Sequence, residues 1–235
     1  MAAAEQPAKR QYVNFIFFKV DPAWRRLPHD ERQAGKQEFT RAIEEFTGKV
    51  IVVPYSTVGI RGDCDFLLWR ITYDLELFQE QMSKALATGL GKYLTIPYSY
   101  LSMTKRSVYV DNHVHEGQES RRLKITPGRS KYIFIYPFEK TREWYLLTKA
   151  ARQGMMDEHI EIGHKYPSVK LNTTYSFGLD DQEFVVAFET DQPQDFLDLV
   201  MHLREAEGSR YTKRDIPIFT CIMKSLKEAL DTLGG

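Results

Sequence analysis

The chain has 235 residues, of which 43% are hydrophobic and 27% carry a charged side chain. These proportions are typical of a globular protein that is large enough for two small domains. Basic and acidic side chains number 32 each, and the resulting zero net charge argues against a nucleic-acid-binding protein. The sequence has neither an apolar run of membrane-spanning length nor the apolar core of a secretory signal. We therefore expect a cytoplasmic protein without a membrane span.

Strands and helices are predicted in the same order in both halves of the chain. The first half gives a strand at 12–20, a helix at 30–45, strands at 49–58 and 65–70, a helix around Phe78 and Met82, and a strand at 98–105. The second half gives a strand at 130–136, a helix at 147–164, strands at 169–177 and 183–188, a helix around Phe196 and Val200, and a strand at 216–221.

The two halves are also similar in detail. Segments 65–70 and 183–188 align without a gap, and each leads through a threonine into an amphipathic helix. The order β-α-β-β-α-β, given twice, is the split βαβ or ferredoxin-like pattern. The predicted fold class is therefore α+β: tandem ferredoxin-like repeats that form a barrel-like core, with helices outside and a cavity between sheet and helices.

This organisation divides the chain into four segments. We predict an N-terminal ferredoxin-like half at 1–106, a connecting loop at 107–129, a C-terminal ferredoxin-like half at 130–223 that holds the chemistry, and a helical tail at 224–235. The loop is long and polar, and His113 with His115 lacks the further ligands of a metal site. The tail is amphipathic and could pad a subunit contact.

The two cysteines are predicted to be packing thiols. Cys64 and Cys221 fall inside apolar, strand-like runs and do not form a Cys-x-x-Cys pair. A zinc or iron–sulfur site is therefore not expected.

The richest stretch for chemistry runs from 133 to 159. Tyr136 ends an apolar strand, Lys140 follows four residues later, Trp144 and Tyr145 come next, and the following helix carries His159. An oxidisable aromatic cluster beside a helix-borne imidazole is what a haem site needs. Two alternatives to an iron-binding role of His159 stay open. The first is that His159 is an ordinary core histidine.

The second alternative is that another histidine binds the iron. His164 competes with His159 as the ligand, although its place near the helix end also suits a simple interaction with the helix dipole.

The order of these residues resembles the chlorite dismutase-like family, in particular its coproheme decarboxylase branch. The family's Glu-His-x-x-x-Gly-x-x-Tyr motif matches Glu158, His159, Gly163 and Tyr166, and the resemblance covers roughly residues 12–222. It implies an iron porphyrin with His159 as the axial ligand. It also implies that Glu207 orients that imidazole, and that the porphyrin is contacted by Arg122, Trp144, Leu171, Arg204 and Ser209.

The resemblance further implies an activity. Family decarboxylases use hydrogen peroxide to convert two propionates of coproheme into vinyl groups, which yields haem b. Tyr136 would carry the radical that starts the reaction, and Lys140 would hold the propionate carboxylate. Family members of this length are homopentamers, so the expected partners are coproheme, hydrogen peroxide and further copies of the chain.

The strand that should face the open iron position departs from the family pattern. Counting from Gly-Leu-Asp-Asp at 178–181 puts Leu171 there, whereas counting from His159 puts Asn172 there, and only one of the two can face the porphyrin. Chlorite-splitting members carry Arg, many decarboxylases Gln, and actinobacterial ones Ala with a loop histidine, which gives His113 or His115 a conditional role. A chlorite dismutase-type enzyme without the usual Arg and a non-catalytic haem-binding protein stay as alternatives.

Overall fold

Nine strands and six α-helices are present in the described part of the chain. The structure is a computed structural model that describes residues 9–107, 109, 124–128 and 130–234. The strands are β1 (Tyr12–Val20), β2 (Ile51–Ser56), β3 (Phe66–Thr72), β4 (Leu94–Met103), β5 (Tyr132–Lys140), β6 (Lys170–Tyr175), β7 (Phe184–Thr190), β8 (Thr212–Arg214) and β9 (Phe219–Met223). The helices are α1 (His29–Glu44), α2 (Glu76–Leu86), α3 (Arg142–Leu146), α4 (Lys149–His164), α5 (Pro193–Glu205) and α6 (Leu226–Asp231).

The strands form a closed antiparallel ring made of two ferredoxin-like sheets. The first sheet has the order β4-β1-β3-β2 and the second the order β9-β5-β7-β6. The sheets join where β2 pairs with β9 and where β4 pairs with β6, while β8 pairs with the end of β5. This architecture confirms the predicted tandem ferredoxin-like barrel with helices outside.

Alternation along the strands divides the apolar side chains between two cores. Phe15, Phe17 and Trp69 belong to the core inside the barrel. On the outer side, a core that includes Phe18 and Leu68 lies under the helices of the first half. The corresponding core of the second half lies under α4 and α5 and consists of Phe134, Ile162, Val186, Phe188, Phe196, Leu199 and Ala206. A site between sheet and helices therefore belongs on this outer side.

Strand β5 is longer than the sequence indicated. It continues past Tyr136 to Lys140 because its last residues pair with β8, in the pairs Glu139–Arg214 and Lys140–Thr212. The short helix α3 follows directly and was not predicted. Tertiary pairing therefore holds Lys140 at a strand end that the local sequence does not reveal.

The C-terminal tail belongs to the core of the first half. The predicted helix is present as α6, and Ser225 caps it together with Glu228. Leu230 and Leu233 are fully buried in the outer core of the first half. These apolar side chains of the tail thus pack within the same chain, and a role of the tail in a subunit contact stays a prediction.

Both cysteines lie in the core inside the barrel. Cys64 and Cys221 are free and fully buried, and burial raises the pKa of each thiol. None of the described helices is long and apolar enough to cross a membrane.

Candidate functional site

Tyr136 lies on the outer face of the second sheet, on the side that α4 and α5 cover. Its ring stacks on Phe188 with the centroids 6.0 Å apart and the planes 18° from parallel. Burial raises the pKa of the phenol, and the nearby Asp215 carboxylate raises it further. No described residue forms a hydrogen bond with its hydroxyl. The structure therefore holds a protonated phenol whose hydroxyl has no described protein partner.

Lys140 lies at the end of the same strand, in an aromatic setting. Its Nζ donates to the carbonyl oxygen of Gly208 at 2.7 Å and lies 4.7 Å from the ring centroid of Trp144. Burial lowers the pKa of Lys140 to about 8, although the charge of Glu183 opposes this shift. Trp144 is buried and packs on Tyr211. The ammonium group is thus partly desolvated, which strengthens its attraction for an incoming carboxylate.

Glu183 fixes the end of β5 and was missed by the sequence analysis. Its Oε2 accepts from the backbone N–H of Lys140 at 2.7 Å and from the hydroxyl of Tyr145 at 2.5 Å. Burial and this carboxylate both raise the pKa of Tyr145. The sequence feature that could have revealed this role is the acidic residue at the start of the 183–188 strand, which was interpreted only as the beginning of a strand.

His159 is half-buried on α4. Burial lowers the pKa of His159 to about 4, and the positive charge of Lys140 contributes to the shift while Glu158 opposes it. The imidazole is therefore neutral near pH 7, and no described residue forms a hydrogen bond with either ring nitrogen. A neutral imidazole with an available lone pair is the form that binds metal ions. His164, in contrast, is exposed at the last residue of α4.

The end of α5 and the segment after it carry three further predicted residues, of which Glu207 contacts α4. Arg204 forms an ion pair with Asp215, and the hydroxyl of Ser209 donates to the Arg204 carbonyl oxygen at 2.9 Å. The backbone N–H of Glu207 donates to Glu158 Oε2 at 3.1 Å. Asp215 is another residue of this region that the sequence analysis missed.

Among the described residues, the Glu207 carboxylate forms no hydrogen bond with His159. It is 59% exposed and lies 3.9 Å from Arg210, so its described partner is that guanidinium. Its role as the acceptor for the imidazole stays a prediction.

The register of β6 distinguishes Leu171 from Asn172. Leu171 pairs with Phe188, whose ring stacks on Tyr136, so Leu171 shares the outer face with both. Asn172 is buried on the opposite face, where its Nδ2 donates to Glu189 Oε1 at 2.8 Å. Leu171 is 46% exposed and presents an apolar surface on the outer side. Arg122, His113 and His115 lie outside the described residues.

Together, the fold and these contacts define a class of protein: a tandem ferredoxin-like barrel whose second half carries an oxidisable phenol, a desolvated ammonium and a neutral imidazole on one side of its sheet. We use the term candidate site for Tyr136, Lys140, Trp144, His159 and Leu171.

Comparison with known proteins assigns the chain to a family within that class. Residues 32–224 match the family model described as Chlorite dismutase, and the chain belongs to this family. It is 31% identical over 215 residues to a coproheme decarboxylase from Mycolicibacterium smegmatis. This alignment covers 89% of this chain and 88% of the relative. It is 26% identical to a chlorite dismutase from Ideonella dechloratans, over 86% of this chain and 72% of that relative.

Solved structures give the same result for the fold. A variant of the chlorite dismutase from Candidatus Nitrospira defluvii superposes with a TM-score of 0.86 and 29% sequence identity, covering 94% of each chain.

Proposed function

We propose that the protein is a haem-dependent oxidoreductase that converts coproheme to haem b by peroxide-dependent oxidative decarboxylation. Each of two propionates would react with one hydrogen peroxide to give a vinyl group, one carbon dioxide and two water molecules. The observation that carries the proposal is the half-buried imidazole of His159, which is neutral near pH 7 because of burial and the nearby charge of Lys140. The 31% identity to a coproheme decarboxylase supports this reaction among those of the family.

The side chains of the candidate site fit an iron porphyrin. His159 would bind the iron, since its ring nitrogens have no described protein partner. Arg204, Ser209 and Arg122 would contact propionates, and Trp144 would pack against the macrocycle. Glu207 would reach the second nitrogen of His159 once the imidazole is ligated. When bound, the iron supplies the oxidising power that the protein side chains lack.

Tyr136 and Lys140 would act on the propionate that reacts. The ammonium of Lys140 would bind the carboxylate in place of its bond to Gly208, which is a contact that a carboxylate can replace. The phenol of Tyr136 has no described hydrogen-bond partner, so its hydroxyl is available to the substrate. As a radical, Tyr136 would remove a hydrogen atom from the propionate carbon next to the ring and so regain its phenolic O–H. The carboxylate would then leave as carbon dioxide while the vinyl double bond forms, and the one electron released would go to the oxidant derived from hydrogen peroxide.

The outer face of β6 argues against efficient chlorite splitting. Leu171 shares the face of Tyr136, and no guanidinium from β6 is available there to attract an anion. We propose that the open position is apolar, in which case His113 or His115 would assist peroxide cleavage. We further propose that the active form is a cytoplasmic homopentamer, which rests on the family resemblance.

The test is anaerobic titration of the full chain with ferric coproheme, followed by stepwise addition of hydrogen peroxide and mass analysis of the porphyrin. We expect a high-spin histidine-ligated spectrum, then a monovinyl intermediate and haem b. Binding without decarboxylation would favour a non-catalytic haem-binding protein. Rapid oxygen release from chlorite without decarboxylation would favour a chlorite dismutase-type enzyme.

A control separates the two histidines. We expect His159→Ala to abolish the histidine-ligated spectrum and His164→Ala to retain it, and the opposite pattern would move the ligand to His164.

A further inference from the structure

A second buried cation lies in the first half of the chain, on a part of the sheet that the candidate site does not use. Arg70 is on β3 and only 3% exposed. Its neighbours Trp69 and Ile71 point into the barrel, so Arg70 points outward, under α2. From the sequence alone, Arg70 was predicted only to be part of an apolar strand.

The guanidinium of Arg70 has only neutral partners among the described residues. Its Nη2 and Nε donate to Asn14 Oδ1 at 2.6 and 3.2 Å, and its Nη1 donates to the Phe78 carbonyl oxygen at 3.0 Å and to Gln81 Oε1 at 3.4 Å. The ring centroid of Phe78 lies 4.7 Å away. No described carboxylate forms an ion pair with Arg70. A buried charge without a counter-charge is costly, and burial lowers the pKa of Arg70 to about 9.

The fold itself does not demand a cation at this position. In the second half, Phe188 occupies the same place: segments 65–70 and 183–188 align without a gap. Arg70 pairs with Asn14 on the first strand of its half, and Phe188 pairs with Phe134 on the first strand of the other. The second half thus fills this position with an aromatic ring, packed on Phe134 and its neighbours. The charge of Arg70 therefore points to a use other than packing.

A cavity beside Arg70 offers that use. The cavity is open to solvent on one side, and its volume is about 340 Å³, at the lower end of the range for small-molecule sites. The polar lining of the cavity consists of Arg70, Asn14 and Ser99, and the apolar lining consists of Leu75, Phe78 and Leu101. The exposed side of α2 adds Gln79 and Glu76. A ligand that fits this lining has an anionic head and an apolar body. The carboxylate of Glu76 disfavours a second negative charge on the ligand.

We propose that this cavity binds an organic monocarboxylate, with its head on the guanidinium of Arg70 and its apolar chain against Leu75, Phe78 and Leu101. The free N–H group of Arg70 Nη2 is the donor that remains for such a head, since the other guanidinium donors already have partners. The site is separate from the candidate site and does not depend on the proposed function.

The test is calorimetric titration of the full chain with octanoate, and with the neutral analogue octan-1-ol. We expect saturable, one-to-one binding of octanoate and none of octan-1-ol. Gln79→Trp should abolish binding by filling the cavity from an exposed position, whereas Gln37→Trp on α1 should bind like the parent protein. Arg70→Met should weaken binding by roughly tenfold or more, as expected for the loss of a charge-assisted hydrogen bond.

Charge selectivity provides a second arm, which is independent of whether Arg70→Met folds. The dicarboxylate octanedioate should bind more weakly than octanoate, and Glu76→Gln should reduce that difference. The proposal is overturned if the parent protein does not bind octanoate, if octan-1-ol binds equally well, or if Gln79→Trp retains binding.

Discussion

Burial pushes His159 and Arg70 toward their neutral forms, with different consequences. The pKa of His159 falls to about 4, so the imidazole is neutral at physiological pH and ready to bind a metal ion. The pKa of Arg70 falls to about 9, so the guanidinium stays charged and needs a counter-charge. One physical effect thus supports both the proposed iron ligand in the second half of the chain and the proposed anion site in the first.

The pKa of His159 makes the stability of the ligand-free protein depend on pH. Because the folded pKa lies below the ordinary value of 6.5, the unfolded chain takes up a proton first as the pH falls. The contribution of the neutral imidazole to the free energy of unfolding is fully present above pH 6.5. It is lost as the pH falls toward 4, by up to roughly 3 kcal/mol. Urea unfolding at pH 7.5 and 4.5 should show a smaller loss for His159→Gln than for the parent.

His164→Gln is the control for this measurement. That side chain is exposed, so we expect the variant to keep the full loss of the parent protein. An equal loss in the parent and in His159→Gln would contradict the inferred burial of the imidazole.

Tyr136→Phe should separate binding from turnover. The substitution leaves the stacking on Phe188 intact and removes a hydroxyl without a described hydrogen bond, so the change in fold stability and coproheme affinity should stay within about 1.5 kcal/mol. Decarboxylation should stop, because the proposed radical site is lost. Tyr132→Phe, four residues earlier on β5, should react like the parent. Carbon dioxide and monovinyl product at the parent rate would move the radical elsewhere, with Tyr145 the next candidate.

At the scale of elements, the sequence predicted strands and helices well but not their mutual register. Apolar runs and alternation located β1 and β7 nearly to the residue. The choice between Leu171 and Asn172 stayed open, because pairing with β7 decides which side of β6 faces outward. The extension of β5, and the contact of Glu183 with its end, likewise depend on segments distant in sequence.

Strand β6 provides a gain-of-function prediction. An arginine at Leu171 would bring a guanidinium to the face of Tyr136, so Leu171→Arg should increase oxygen release from chlorite by about tenfold or more. Leu171→Met, which changes the shape without adding charge, should stay at the parent level. Efficient chlorite turnover by the parent protein would show that an arginine from another element already serves this position.

Helix α6 makes a separate prediction about stability. Leu230 is fully buried in the outer core of the first half, so Leu230→Ala should reduce the free energy of unfolding by about 2–5 kcal/mol. Lys227→Ala, on the exposed side of the same helix, should change it by no more than about 0.5 kcal/mol. Equal urea midpoints for the two variants would mean that α6 is not part of the folding core.

At the scale of the whole molecule, the two halves are joined at two seams of different strength. β2 and β9 pair through two residue pairs, whereas β4 and β6 meet only at Met103 and Tyr175. Side chains that follow β6 reinforce the weaker seam. Asp180 Oδ2 accepts from the backbone N–H of Leu101 at 2.7 Å, and the hydroxyl of Ser176 donates to the Leu101 carbonyl oxygen at 2.8 Å.

This seam bears on the candidate site, because it holds the end of β6 and therefore the strand that carries Leu171. Asp180 also accepts from Gln182 Nε2 at 2.9 Å, so its carboxylate links the turn after β6 to β4. Asp180→Ala would leave the Leu101 N–H without its acceptor, and we expect a loss of about 1–3 kcal/mol in unfolding free energy.

The neighbouring residue provides a matched control for the seam. Asp181 is exposed, so Asp181→Ala should change the unfolding free energy by no more than about 0.5 kcal/mol. Hydrogen exchange gives the local readout: the Leu101 amide should exchange faster in Asp180→Ala and at the parent rate in Asp181→Ala. If both variants protect this amide like the parent, the single strand pair is sufficient to close the ring, and Asp180 does not hold β6 against the first half.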